Sequence, residues 1–175
     1  MSSKALEMAQ KVLDLAWDGQ LPVDPVRLAS TLRVTTQDAD GQKQKCTIVV
    51  RSVAGGDLAG ASSQVSLEQT TKGSQYVCAY NRDEISYRNR FAVAHELGHI
   101  LLGHVRIGEP ALRHYGYGDS TTEMSQANSF AAALLMPERF LRSVFASIES
   151  VQQMGEAFGV STEAAIYRLK ALRLI

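Results

Sequence analysis

An excess of charge of either sign is missing from this sequence: Lys and Arg total 18, Asp and Glu total 18, and the formal net charge is zero. That balance argues against a globally basic nucleic-acid binder and against a polybasic membrane-surface protein. No apolar run comes near the roughly 18 residues of a membrane span. The opening stretch, MSSKALEMAQ, lacks the apolar core of a secretory signal, so a cytoplasmic location is expected. Cysteine is scarce. Cys46 and Cys78 both lie in apolar, strand-like surroundings, and two reduced, packed thiols suit a cytoplasmic protein better than a disulfide. Internal repeats and low-complexity tracts are absent.

What is present is a hydrophobic fraction of 45% over 175 residues, enough for one domain with a core and a small appendage. Residues 4–17 carry an amphipathic stripe of Leu6, Ala9, Val12, Leu13 and Ala16. A short helix should follow, with Asp24 as N-cap and Pro25 at its first position, ending near Thr31. Residues 33–80 change character: 33–37, 46–53 and 75–80 are rich in Val, Ile, Thr and Tyr. They predict a small, mostly antiparallel sheet of three or four strands, with polar 60–73 as loop or a weak edge strand. Helix returns from Ser86, a plausible N-cap, to Gly103, a plausible C-cap. Residues 104–119 read as loop and 121–136 as helix. Pro137 should open the next helix, and the remainder follows a helical pattern.

The chemistry concentrates in Ala94-His95-Glu96-Leu97-Gly98-His99. H-E-x-x-H arises by chance on the order of once in a hundred chains of this length. A spacing of four places both imidazoles on one helix face, one turn apart, where they can grip one metal ion at about 2.0–2.1 Å. Glu96, rotated by roughly 100°, can hold and deprotonate a water activated by that metal instead of acting as a ligand. All four histidines, His95, His99, His104 and His114, fall between positions 95 and 114.

A third ligand is needed. A gluzincin-type site takes an acid from a second helix downstream, which points to Glu123; Ser120-x-x-Glu123 also reads as a capping box. His104 is the alternative ligand, and Asp119 and His114 are more remote ones. Arg113, His114, Tyr115 and Tyr117, in the loop between the two helices, are candidate donors to a developing oxyanion.

The segment Arg90-Phe-Ala-Val-Ala-His-Glu-Leu-Gly-His-Ile-Leu-Leu, followed by Gln126-Ala-Asn-Ser-Phe-Ala-Ala-Ala-Leu-Leu-Met-Pro137, resembles the ImmA/IrrE family of metallopeptidases. Leu21-Pro-Val-Asp-Pro-Val-Arg-Leu-Ala and the tail beginning Phe158-Gly-Val-Ser-Thr-Glu resemble it too. The resemblance implies a zinc endopeptidase in which His95 and His99 are zinc ligands, Glu96 is the general base and Asn128 backs a ligand. It also implies a protein substrate, a bacterial or phage Xre-type helix-turn-helix repressor. The chain departs from the family in one place. The acidic ligand usually sits four residues before the Asn of A-N-x-F, and here that position is Met124, one after Glu123.

The expected fold is therefore α+β: a compact zincin-like domain over 1–148, with a small antiparallel sheet and the HExxH helix, and a helix-turn-helix-like tail over 149–175. The tail raises a rival reading, DNA binding. Glu149, Glu156 and Glu163 balance Arg168, Lys170 and Arg173, whereas phosphate binding usually needs a basic face, so packing on the core is favoured. A second rival is a catalytically weak zincin fold kept for protein–protein interaction. The strand at Gln75–Tyr80 is a candidate edge for an extended substrate peptide.

Overall fold

The computed structural model describes residues 2–37, 41–71, 73–115 and 121–175. Helix α1 (Ser3–Ala16) buries Ala5, Ala9, Val12 and Leu13, the face set by its apolar spacing. Helix α2 (Pro25–Thr31) begins where the Asp24 carboxylate accepts from the backbone N–H groups of Val26 and Arg27, with Pro25 at the first position.

The sheet has five strands: β1 (Arg33–Gln37), β2 (Lys43–Val53), β3 (Ser63–Thr70), β4 (Gly73–Asn81) and β5 (Leu112–His114), in the order β1-β2-β4-β3-β5. Three pairings are antiparallel, but β2 and β4 run parallel, so the sheet is mixed and larger than the sequence suggested. The reason is the hairpin β3–β4, which folds back so that β4 inserts between β2 and β3. Residues 60–73 are thus no loop or weak edge. They contain β3, an interior strand paired on both sides. β4 is interior as well, with both backbone edges occupied, which removes it as the edge for a substrate strand.

Helix α3 (Ser86–Leu102) starts after Ile85, not at a Ser86 cap, and closes on Gly103 at φ 81°, a left-handed residue that favours glycine. Helix α4 (Thr122–Leu135) is capped by Thr121, whose hydroxyl accepts from the Met124 backbone N–H; Ser120, of the alternative Ser120–Glu123 box, lies outside the described residues. Helices α5 (Glu138–Val144), α6 (Val151–Phe158) and α7 (Thr162–Ala171) follow. Gly159 ends α6 in the left-handed region, and the Ser161 hydroxyl caps α7 through the Ala164 N–H.

The tail helices share one apolar cluster with the rest of the chain: Met154, Phe158, Ala165 and Leu169 belong to the same core as Leu97, Phe130 and Leu134. Arg168, 3% exposed, donates through Nε to the Met136 carbonyl oxygen at 3.2 Å. Arg90 of α3 reaches the Gly159 carbonyl oxygen at 3.2 Å. Cys46 and Cys78 are free and buried, and burial raises both thiols' pKa values. Among the described residues no helix is long and apolar enough to cross a membrane.

Because Phe158 is fully buried in that shared cluster, Phe158→Ala should cost about 3–5 kcal/mol. In urea the whole chain should shift as one cooperative transition. A biphasic curve whose main midpoint stays at the wild-type value would show that the tail unfolds by itself.

Candidate metal centre

The centre forms where α3 crosses α4, and Gly98 sets how closely they approach. A Cβ at position 98 would stand 3.1 Å from Ala127 Cα and 3.1 Å from Phe130 Cδ1. Only a residue without a side chain fits there without moving backbone. The close crossing carries Asn128 to His95 and Gln126 to His104.

These contacts fix where each ring proton resides. His95 Nδ1 lies 2.8 Å from Asn128 Oδ1. A carboxamide oxygen only accepts, so the proton is on Nδ1 and the lone pair on Nε2. His104 Nε2 lies 3.0 Å from Gln126 Oε1, which puts its proton there and its lone pair on Nδ1. That Nδ1 faces His99 Nδ1 at 3.1 Å, so His99 donates through Nδ1 and keeps its lone pair on Nε2. The two Nε2 atoms, of His95 and His99, stand 3.0 Å apart. Two lone pairs facing across such a gap repel unless a cation lies between them. Two nitrogens on one tetrahedral zinc, with bonds of about 2.0–2.1 Å, would stand roughly 3.3 Å apart. The donor pair therefore fits a metal ion. Among the described residues, no group of three His, Cys, Asp or Glu is already arranged to hold one.

His95, Glu96 and His99 are 0%, 1% and 1% exposed. Burial pushes the Glu96 carboxyl up to about 8, and the Ser63 hydroxyl, donating to Oε1 at 2.6 Å, works against that rise. Burial is also the main reason His99 falls to about 4, with His104 and His114 adding to the effect. His95 is held well below its ordinary value, first by burial and then by His114 and His99. Both imidazoles are thus neutral near pH 7, the form that binds metals.

The remaining candidates divide. His104 lies behind His99 with both ring nitrogens engaged, so in this geometry it orients a neighbour. His114, on β5 and 9% exposed, brings its ring to 4.2 Å from that of His95. Tyr115 is 58% exposed, and Arg113 is exposed too. Glu123 faces solvent on the first turn of α4, while half-buried Met124 precedes Asn128 by one turn on the same face. Tyr117 and Asp119 lie outside the described residues. Two contributors escaped the sequence reading, Ser63 and Gln126. The inward alternation of Ser63 and Val65 in β3 was the available signal for the first. Gln126 had none beyond its place next to the A-N-x-F segment.

Residues 42–170 match the family model of the IrrE N-terminal-like domain, a peptidase family. The chain belongs to this family. The match runs from the start of β2 into α7 and includes every residue of the centre described above. No curated protein matches the chain. Within the IrrE-like domain, the two neutral imidazoles and the buried carboxylate form the element that suits a peptidase.

The shifts predict how the IrrE-like domain, stripped of metal, responds to pH. Glu96 rises from its ordinary 4.5 to about 8, so between those values the folded state holds a proton that the unfolded chain has released. Stability from this group is lost as pH climbs through that window. His99 falls from 6.5 to about 4, and His95 shifts the same way, so both add stability as pH rises toward 6.5. Thermal melting of the stripped protein should peak near pH 6.5, and Glu96→Gln should remove the decline toward pH 8. A wild-type melting temperature that keeps climbing to pH 8 would contradict these assignments.

Proposed function

We propose that this protein is a zinc-dependent endopeptidase. In this reading His95 and His99 hold the metal, Glu96 is the general base, and the substrate is an Xre-type helix-turn-helix repressor. The observation that carries the reading is the pair of Nε2 atoms 3.0 Å apart, with their Nδ1 protons committed elsewhere, beside a carboxylate buried to 1% exposure. The repressor as substrate rests on the family resemblance. Glu123, on the exposed first turn of α4, is the acid proposed to complete the ligand set.

Zinc, when bound, would polarise the scissile carbonyl and lower the pKa of a water to about 7. The chain supplies the rest. Asn128 keeps the His95 proton on Nδ1 and fixes the ring's orientation. Ser63 aims Glu96, whose carboxylate takes the proton of the attacking water and delivers it to the leaving amine. His114, packed on the His95 ring, is the proposed donor to the developing oxyanion. β5 ends the sheet on that side among the described residues, and its outer edge offers backbone groups to an extended peptide.

The DNA-binding alternative has less support. Arg168, one of the tail's three basic residues weighed for it, is buried and holds the Met136 carbonyl. It is therefore withdrawn from any phosphate-facing surface.

Purified protein should carry about one zinc per chain. Glu96→Gln should keep that zinc but lose cleavage of a repressor, read on a gel. Glu123→Ala should abolish tight zinc binding. His104→Ala should weaken it about 10–100-fold through the loss of His99's support. Protein that holds no zinc and regains none on dialysis would favour a fold kept for interaction alone.

A further inference from the structure

A cavity of about 210 Å³ lies against the centre on the side of His95. Two of its lining residues, His114 and Asn128, also contact His95. The tail supplies four more lining residues: Val160 in the turn after α6, and Ser161, Glu163 and Ala164 at the start of α7. Tyr87, Arg88, Phe91 and Ala92 of α3 line it as well.

We infer that this cavity is a specificity pocket for one aliphatic or aromatic side chain of the peptide substrate, next to the scissile bond, and that the tail exists in part to wall it. Size is the first argument. The volume is below the roughly 300 Å³ at which small-molecule sites begin, yet equals about seven waters, room for one large side chain. Chemistry is the second. Phe91, Ala92, Val160 and Ala164 offer carbon. The Glu84 carboxylate is already engaged, accepting from the Ser62 hydroxyl at 2.8 Å and pairing with Arg88 at 3.4 Å. Glu163 is exposed on the first turn of α7, where a carboxylate complements the helix N-terminus. With the Glu84 charge balanced by Arg88, the carbon of Phe91, Ala92, Val160 and Ala164 sets the preference. Position is the third argument. His114 both lines the cavity and packs on the His95 ring, so a peptide running along β5 toward His95 would pass beside it.

This inference rests on the peptidase reading for its occupant, but the pocket is testable without catalysis. The full chain, with and without zinc, would be titrated with N-acetyl-leucinamide, N-acetyl-phenylalaninamide, N-acetyl-glycinamide and N-acetyl-lysinamide. Methyl NMR signals of Val160 and Ala164 give the readout. The leucine and phenylalanine amides should shift both methyls saturably in both forms, and the glycine and lysine amides should bind at least about tenfold more weakly, in line with what a few methylenes are worth in a pocket. Ala164→Trp should abolish the response at Val160, and Ala164→Leu, a smaller filling, should weaken it. Equal response to all four amides, unmoved methyls, or an undiminished response in both variants would overturn the inference. If the leucine amide fills the pocket but the zinc-loaded protein cleaves no repressor, the catalytic reading fails and the pocket stands. Cleavage that ignores both fillings leaves the catalytic reading and removes the pocket.

Discussion

The arrangement depends on one constraint: each histidine of the H-E-x-x-H pair must give its Nδ1 proton away, so that both Nε2 lone pairs meet at one point. Asn128 takes the first proton. His104, backed by Gln126, takes the second. Two imidazoles on neighbouring turns are otherwise free to choose tautomers, and a donor–acceptor pair between their Nε2 atoms would satisfy them with no cation. The outer partners exclude that choice. Burial then keeps both rings neutral, and in the metal-free protein it also holds the proton on Glu96 up to about pH 8, so a bound cation would be what frees that carboxylate to act as a base.

Most of the fold serves that constraint. Gly98 lets α4 come close enough for Asn128 and Gln126 to reach α3, and the small residues Ala127, Ala131 and Ala132 on α4, all buried, keep its surface low. The sheet delivers Ser63 to Glu96 and His114 to His95 from two adjacent strands, in register opposite each other. The tail contributes to the same core and lines the cavity that His114 and Asn128 also line, which ties its packing to the site.

The parts legible in the sequence were those with local causes. Asp24-Pro25 and Gly103 mark helix ends through their own backbone and side-chain preferences, and both do so in the structure. The parts that were not legible have tertiary causes. β3 looked polar because Gln64, Ser66, Glu68, Gln69 and Thr70 outnumber its apolar residues, although Ser63 and Val65 face inward. β5 is three residues long, too short to show a period. The interior position of β4 depends on a parallel pairing with β2 that no local pattern announces. At the site, the motif itself and Asn128 could be read. The role of His104 could not, because spacing alone describes a potential ligand and only the Gln126 contact turns its ring the other way.

Zinc K-edge X-ray absorption on the loaded protein tests the central claim most directly. The account predicts two imidazole nitrogens in the inner shell at about 2.0–2.1 Å, falling to one in His99→Ala. An all-oxygen shell, or a spectrum identical in the wild type and His99→Ala, would contradict it.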